Sequence, residues 1–305
     1  MMLILLIPVM NLTSCGGAGQ DGSVVDMILN HECNPPVLKE IEVPAPDSVG
    51  IIFDEWIRPL EDTFGKCTVS SSGNYLHIGL YSQLIPGQST EISGTVVDRY
   101  GNTNTFNVTV WGLNTDPAVL RINEFTTKGT KTQPDRTELK VIHGGSIAGM
   151  VLYDGVPDSM RNMVVLPNLE VQPGTFITVW WNDTLPQNIP ETETANINVL
   201  AGGGLSENNG IMCLCMSPMQ GAQVLDCVVW SAMASAQYDG YGTKEVWQRV
   251  SQAIDNGWWT GDPVYSGWST STRAMALGRD GEWYTTVQGG ITFGSENISD
   301  AYKPD

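Results

Sequence analysis

Between Pro36 and Trp111 the apolar positions fall in short runs, VLKEIEV, SVGIIFDEWI, KCTVSSS, YLHIGLY and STEISGTVV, parted by Pro, Gly, Asp and Asn. In the run from Thr105 to Trp111, Phe106, Val108 and Val110 alternate with Asn107 and Thr109. Alternation with a period of two sends one row of side chains to each face of a pleated strand, so this segment predicts a half-buried strand. Roughly six or seven such strands in about 80 residues predict an Ig-like sandwich.

Asn114-Thr115-Asp116-Pro117 interrupts the pattern with turn formers and marks a boundary. Strand-length runs resume after it, among them IAGMVLYDG, TFITVWW and the hairpin pair IMCLCMS and QVLDCVVW. Within an insertion at about 235–262 the period changes. After Thr243 the residues Val246, Trp247, Val250, Ala253 and Ile254 recur at helical spacing. They predict a short helix capped by Thr243 and ended by Asn256-Gly257, with Trp258-Trp259 directly behind it.

The opening run, MMLILLIPVM, is too short to cross a bilayer, which needs about 20 residues, but has the length of an export-signal core. Leu12-Thr13-Ser14-Cys15 follows it, then Gly16 and Gly17. The arrangement resembles the lipobox of bacterial lipoproteins, although no Lys or Arg precedes the run. The resemblance implies cleavage before Cys15 and lipid on its thiol; residues 16 to 32 then read as a tether, with room for a short helix around Val24 to Asn30.

Two further resemblances refine the modules. Ile51-Ile52-Phe53-Asp54-Glu55, the Leu84-Ile85-Pro86-Gly87 turn and Val97-Asp98-Arg99-Tyr100-Gly101-Asn102 resemble bacterial Ig-like domains of surface proteins. Ile122-Asn123-Glu124-Phe125, Asp135-Arg136-Thr137-Glu138-Leu139, Val171-Gln172-Pro173-Gly174, Trp283 and the closing TFGSEN at 292–297 resemble, in order, the lamin tail domain. Arg136 stands where that family often has an aromatic residue, and Phe293 replaces the proline of its Thr-Pro-Gly. The expected fold is all-β, two Ig-like β-sandwiches, the second with a short helical insertion. The expected division is signal 1–14, lipidated Cys15 and tether 15–32, first sandwich 33–113, linker 114–118, second sandwich 119–300 and tail 301–305.

Composition narrows the partners. The chain has 305 residues, 16% of them charged, and a net charge of −18 at pH 7. Such a surface repels phosphate backbones, so nucleic acid is not an expected partner. His31, His77 and His143 are far apart and no metal-ligand spacing accompanies them. His143-Gly144-Gly145-Ser146-Ile147-Ala148 lacks the second glycine of a nucleophile elbow and reads as a turn before a strand. No cofactor is expected. For Ca²⁺ the EF-hand pattern is absent, and only loop acids such as Asp255, Asp262 or Asp154 with Asp158 offer oxygens.

Of the six cysteines, Cys33 with Cys67 and Cys213 with Cys227 are candidate disulfides, with small buried apolar residues as the alternative. Among ten tryptophans, Trp258, Trp259 and Trp268 lie in a loop-rich stretch and are the candidate ligand-binding residues. These features imply a protein anchored in the bacterial envelope, at the outer membrane or cell surface, that binds, adheres or scaffolds without catalysis. Its expected partners are the membrane, through the lipid, and a protein or carbohydrate ligand. The alternative is an accessory carbohydrate-binding or hydrolytic envelope protein, favoured if acidic loops and Trp258-Trp259 share one cleft.

Overall fold

A computed structural model describes residues 33–183, 192–193, 196–219 and 221–304. The export segment, Cys15, the tether and His31 therefore lie outside the described residues. The chain divides into two compact units between Leu113 and Asn114. Both are built almost wholly of β-strands.

The first unit contains β1 (Leu38–Ala45), β2 (Ser48–Phe53), β3 (Arg58–Pro59), β4 (Cys67–Ser72), β5 (Tyr75–Leu80), β6 (Ser89–Val97) and β7 (Thr103–Trp111). A four-stranded sheet in the order β1-β2-β5-β4 faces a three-stranded sheet, β3-β6-β7. Val49, Ile51, Phe53, Leu76 and Ile78 from the first meet Ile92, Val96, Phe106 and Val110 from the second in one core. The period-two strand turns Phe106 and Val110 inward, as its pattern dictates. Asp98 organises the β6–β7 hairpin: its Oδ1 accepts from the amides of Tyr100 and Asn102, each at 2.8 Å, while Gly101 takes φ +93.

The second unit contains β8 (Val119–Thr126), β9 (Asp135–His143), β10 (Gly145–Ser146), β11 (Val151–Val156), β12 (Ser159–Val165), β13 (Glu170–Val171), β14 (Phe176–Trp181), β15 (Thr192–Glu193) and β16 (Asn196–Ala201). It continues with β17 (Asn209–Cys215), β18 (Val224–Ser231), helix α1 (Lys244–Asp255), β19 (Val264–Tyr265), β20 (Met275–Leu277) and β21 (Trp283–Thr285). Sheet order is β12-β11-β17-β18-β19 on one layer and β15-β16-β14-β9-β8-β20-β21 on the other, with a small β10-β13 pair.

This unit has two cores. Between the sheets lie Ile122, Phe125, Leu139, Ile177, Val179, Met212, Leu214, Val228 and Trp230. The other face of the five-stranded sheet carries Tyr153, Ile211, Cys213, Cys215, Cys227 and Val229, covered by Tyr241 and by Val250 and Ala253 of α1. A strand buried on both faces reads as a continuous apolar run, which is why IMCLC does not alternate. Fully burying an aliphatic side chain contributes about 1.5–3 kcal/mol, so α1 is held by its apolar face.

The Thr243 hydroxyl caps that helix, accepting from the Val246 amide at 3.3 Å, and Gly257 leaves it with φ +69. One helical position departs from its pattern. Ile254 is 51% exposed, because the sheet beneath reaches only the stripe through Val250 and Ala253.

Candidate functional site

Helix α1 ends beneath the tryptophan pair and fixes it. The Ala253 carbonyl accepts from the Trp258 amide at 2.8 Å and the Trp259 amide at 3.3 Å. Trp258 packs on the core under α1, and Trp259 packs on both cores at once. Trp283, at the start of β21, sets its ring edge-on to Phe125, with centroids 5.4 Å apart. Together with Arg121, Asp226, Cys227, Asp262, Tyr265 and Glu282, these three tryptophans line a groove of about 630 Å³. That volume is in the range of ligand sites, about 300–1,000 Å³.

The polar groups in the groove differ in burial. Asp226 is half-buried, and its carboxylate accepts from the Ile122 amide at 2.7 Å and the Cys227 amide at 2.9 Å. Desolvation pushes its pKa up, opposed by those two amides and by Arg121. Asp262, Glu282 and Arg121 are exposed. The indole nitrogen of Trp259 is buried and meets no acceptor among the described residues.

Trp268, 39% exposed, stands outside the groove. Its ring meets Tyr265 at 4.8 Å and Tyr302 at 6.0 Å, and the Arg273 guanidinium lies 4.2 Å over the Tyr302 ring. Tyr265 belongs to both groups, so the groove continues into an exposed aromatic strip. The structure thus brings Trp258 and Trp259 into one cleft and connects Trp268 to it through Tyr265. Arg121, Asp226, Tyr265 and Glu282 carry no motif; their places within β8 and β18, at the end of β19 and just before β21 bring them there.

The motifs at the two ends of the second unit meet elsewhere. Glu124, fully buried, accepts from the amide and hydroxyl of Thr292. Glu138, opposite it in the β8–β9 register, accepts from Asn123 at 2.6 Å and from the Gly294 amide at 2.5 Å. Asn297 donates to the carbonyls of Asn123 and Leu277. Burial drives Glu124 to about 7 and Glu138 to about 8. Arg136 lies between the rings of Trp180, at 4.9 Å, and Phe293, at 4.2 Å. The two positions where the motifs depart from the lamin-tail pattern, Arg136 and Phe293, therefore touch.

The cysteine candidates part company. Cys213 and Cys227 stand opposite each other as thiols, with sulfurs 3.5 Å apart. The structure does not join Cys33 to Cys67. Cys67 opposes Leu80 at the start of β4, its thiol is free, and it packs against the first core as a small apolar side chain. His77 shares a hydrogen bond with the Ser48 hydroxyl at 3.0 Å on an exposed strand face, and His143 is exposed at the end of β9. Among the described residues no three His, Cys, Asp or Glu side chains are grouped to hold a metal. Asp154 is buried and faces Arg161 at 3.7 Å, while Asp158 is exposed.

The strand content, the two facing sheets and the filled cores define an all-β sandwich protein. Residues 118–281, more than half of the chain, match the family model TP_1001_2nd, described as "protein second domain", and the chain belongs to that family. No curated protein matches the chain.

Proposed function

We propose that this chain is a binding protein of the bacterial envelope, anchored through lipid on Cys15, whose second unit is lamin-tail-like and receives its ligand in the tryptophan groove. One observation carries the reading: Trp258, Trp259 and Trp283 converge with Asp226, Asp262 and Glu282 in a single cleft. Aromatic faces flanked by fixed carboxylates suit a carbohydrate, whose ring faces stack and whose hydroxyls donate. The meeting of the Asn123-Glu124 and 292–297 motifs supports the lamin-tail resemblance.

Asp226 is not free for acid–base work, since both of its oxygens already accept backbone amides, and the exposed pair Asp262 and Glu282 is what the test below separates into binding or hydrolysis. Glycoside hydrolysis needs one carboxyl free to pass a proton and a second across the sugar. The test uses exposed residues, so that folding is preserved. Chain carrying Glu282→Lys and Asp262→Lys is compared with wild type for retention on isolated cell-envelope polysaccharide, with release of reducing ends followed in parallel. Retention falling at least tenfold, with no reducing ends released by either chain, is expected. Unchanged retention contradicts the site, and release by wild type alone contradicts the non-catalytic reading. For the anchor, radioactive palmitate enters wild type and not Cys15→Ala; absence of label in wild type contradicts it.

A further inference from the structure

The face of the five-stranded sheet beneath α1 carries three thiols, Cys213, Cys215 and Cys227. Cys213 and Cys227 oppose each other in the antiparallel register of β17 and β18, with sulfurs 3.5 Å apart. Opposed residues in such a pair hold their Cα atoms about 4.5–5.5 Å apart, within the roughly 4.4–6.8 Å that a disulfide spans. Cys215 is placed differently. A bulge between Leu214 and Cys215 sets it opposite Val224, with no cysteine across from it in the register. Both thiols are buried in the folded chain, so exchange with an external oxidant takes place during folding, before α1 closes over them.

We propose that Cys213 and Cys227 form a thiol oxidation site that closes to a cross-strand disulfide by exchange with a disulfide oxidant, oxidised glutathione being the simplest. The Cys227 thiolate attacks one oxidant sulfur, forming a mixed disulfide and expelling one glutathione thiolate. The Cys213 thiolate then attacks the Cys227 sulfur and expels the second. Two protons and two electrons leave the pair, and the oxidant ends as two glutathione thiols. The bond ties β17 to the strand that supplies Asp226 and Cys227 to the groove.

The experiment refolds the full chain from denaturant in a glutathione redox buffer, then measures intact mass and maps non-reduced peptides. The expected main product has lost two hydrogens, joins Cys213 to Cys227, and leaves Cys215 open to alkylation after unfolding. Its unfolding midpoint lies roughly 5–10 °C above that of the reduced chain. Cys215→Ser gives the same link, so the result does not depend on deleting a member of the pair. Alkylation of both Cys213 and Cys227, glutathione left on Cys227, or a dominant link from either to another cysteine would overturn the proposal.

Discussion

Two places in the second unit combine aromatic rings with carboxylates, and they are finished in opposite ways. At Glu124 and Glu138 the chain supplies its own partner: residues 292–297 lay amides, a hydroxyl and the Phe293 ring over the acids and over Arg136. At the groove the rings of Trp258, Trp259 and Trp283 are backed by core, but Asp262 and Glu282 stay exposed. Sealing raises the cost of carboxylate charge, so the first place holds protons near neutrality. The open place keeps its polar groups available to something outside the chain. Acid and aromatic content alone does not make a ligand site; what decides is whether the chain's own loops use up the hydrogen bonds.

The largest expected effect comes from a residue beneath the groove. Phe125 is fully buried between Trp230 and Trp283, with both centroids at 5.4 Å. Phe125→Ala is expected to lower unfolding stability by about 3–5 kcal/mol in a denaturant titration, and to loosen Trp283 with it.

Next comes the sealed pair. Both glutamates hold protons more tightly folded than unfolded, where they titrate near 4.5. Their contribution is therefore full below about pH 4.5 and is lost as pH rises through about 7 and 8. A loss on the order of 3 kcal/mol is expected from the coupled pair, read as a falling melting temperature between pH 5 and about 8.5. Glu138→Gln should flatten that slope, and an unchanged slope would contradict the tighter hold of the sealed pair on its protons.

Smaller effects fall at the groove edge. Thr243→Ala removes the α1 cap and should cost about 1 kcal/mol, with added mobility at Trp258 seen in its fluorescence. Trp268→Ala should change stability by less than about 0.5 kcal/mol. Retention on envelope polysaccharide then tells whether the Tyr265–Trp268–Tyr302 strip is part of the ligand path.

Much of the fold could be read from the residues, and the limits have physical causes. Alternation at Phe106, Val108 and Val110 reports a strand with one wet face, and Thr243 with Asn256-Gly257 reports both ends of a helix. Facing residues of an antiparallel hairpin have numbers with one common sum, 440 for Cys213 with Cys227 as for Met212 with Val228, so their opposition follows from the register of the hairpin. Ile254 escaped because helical spacing defines a stripe but not how wide a surface the sheet offers beneath it. The partnership of Arg136 with Phe293, and of Glu124 with Thr292, spans more than 150 residues of sequence and no local pattern encodes it. The groove was legible only in its two adjacent tryptophans. Asp226 and Glu282 join them through strand order, which single residues do not announce.

Hydroxyl-radical footprinting tests the central claim most directly, comparing oxidation of each tryptophan in the purified chain with and without isolated envelope polysaccharide. Protection of Trp258, Trp259 and Trp283 together, with the rings of the first unit unchanged, is the predicted result. Equal oxidation of those three rings in both samples would contradict the assignment of the groove as the ligand site.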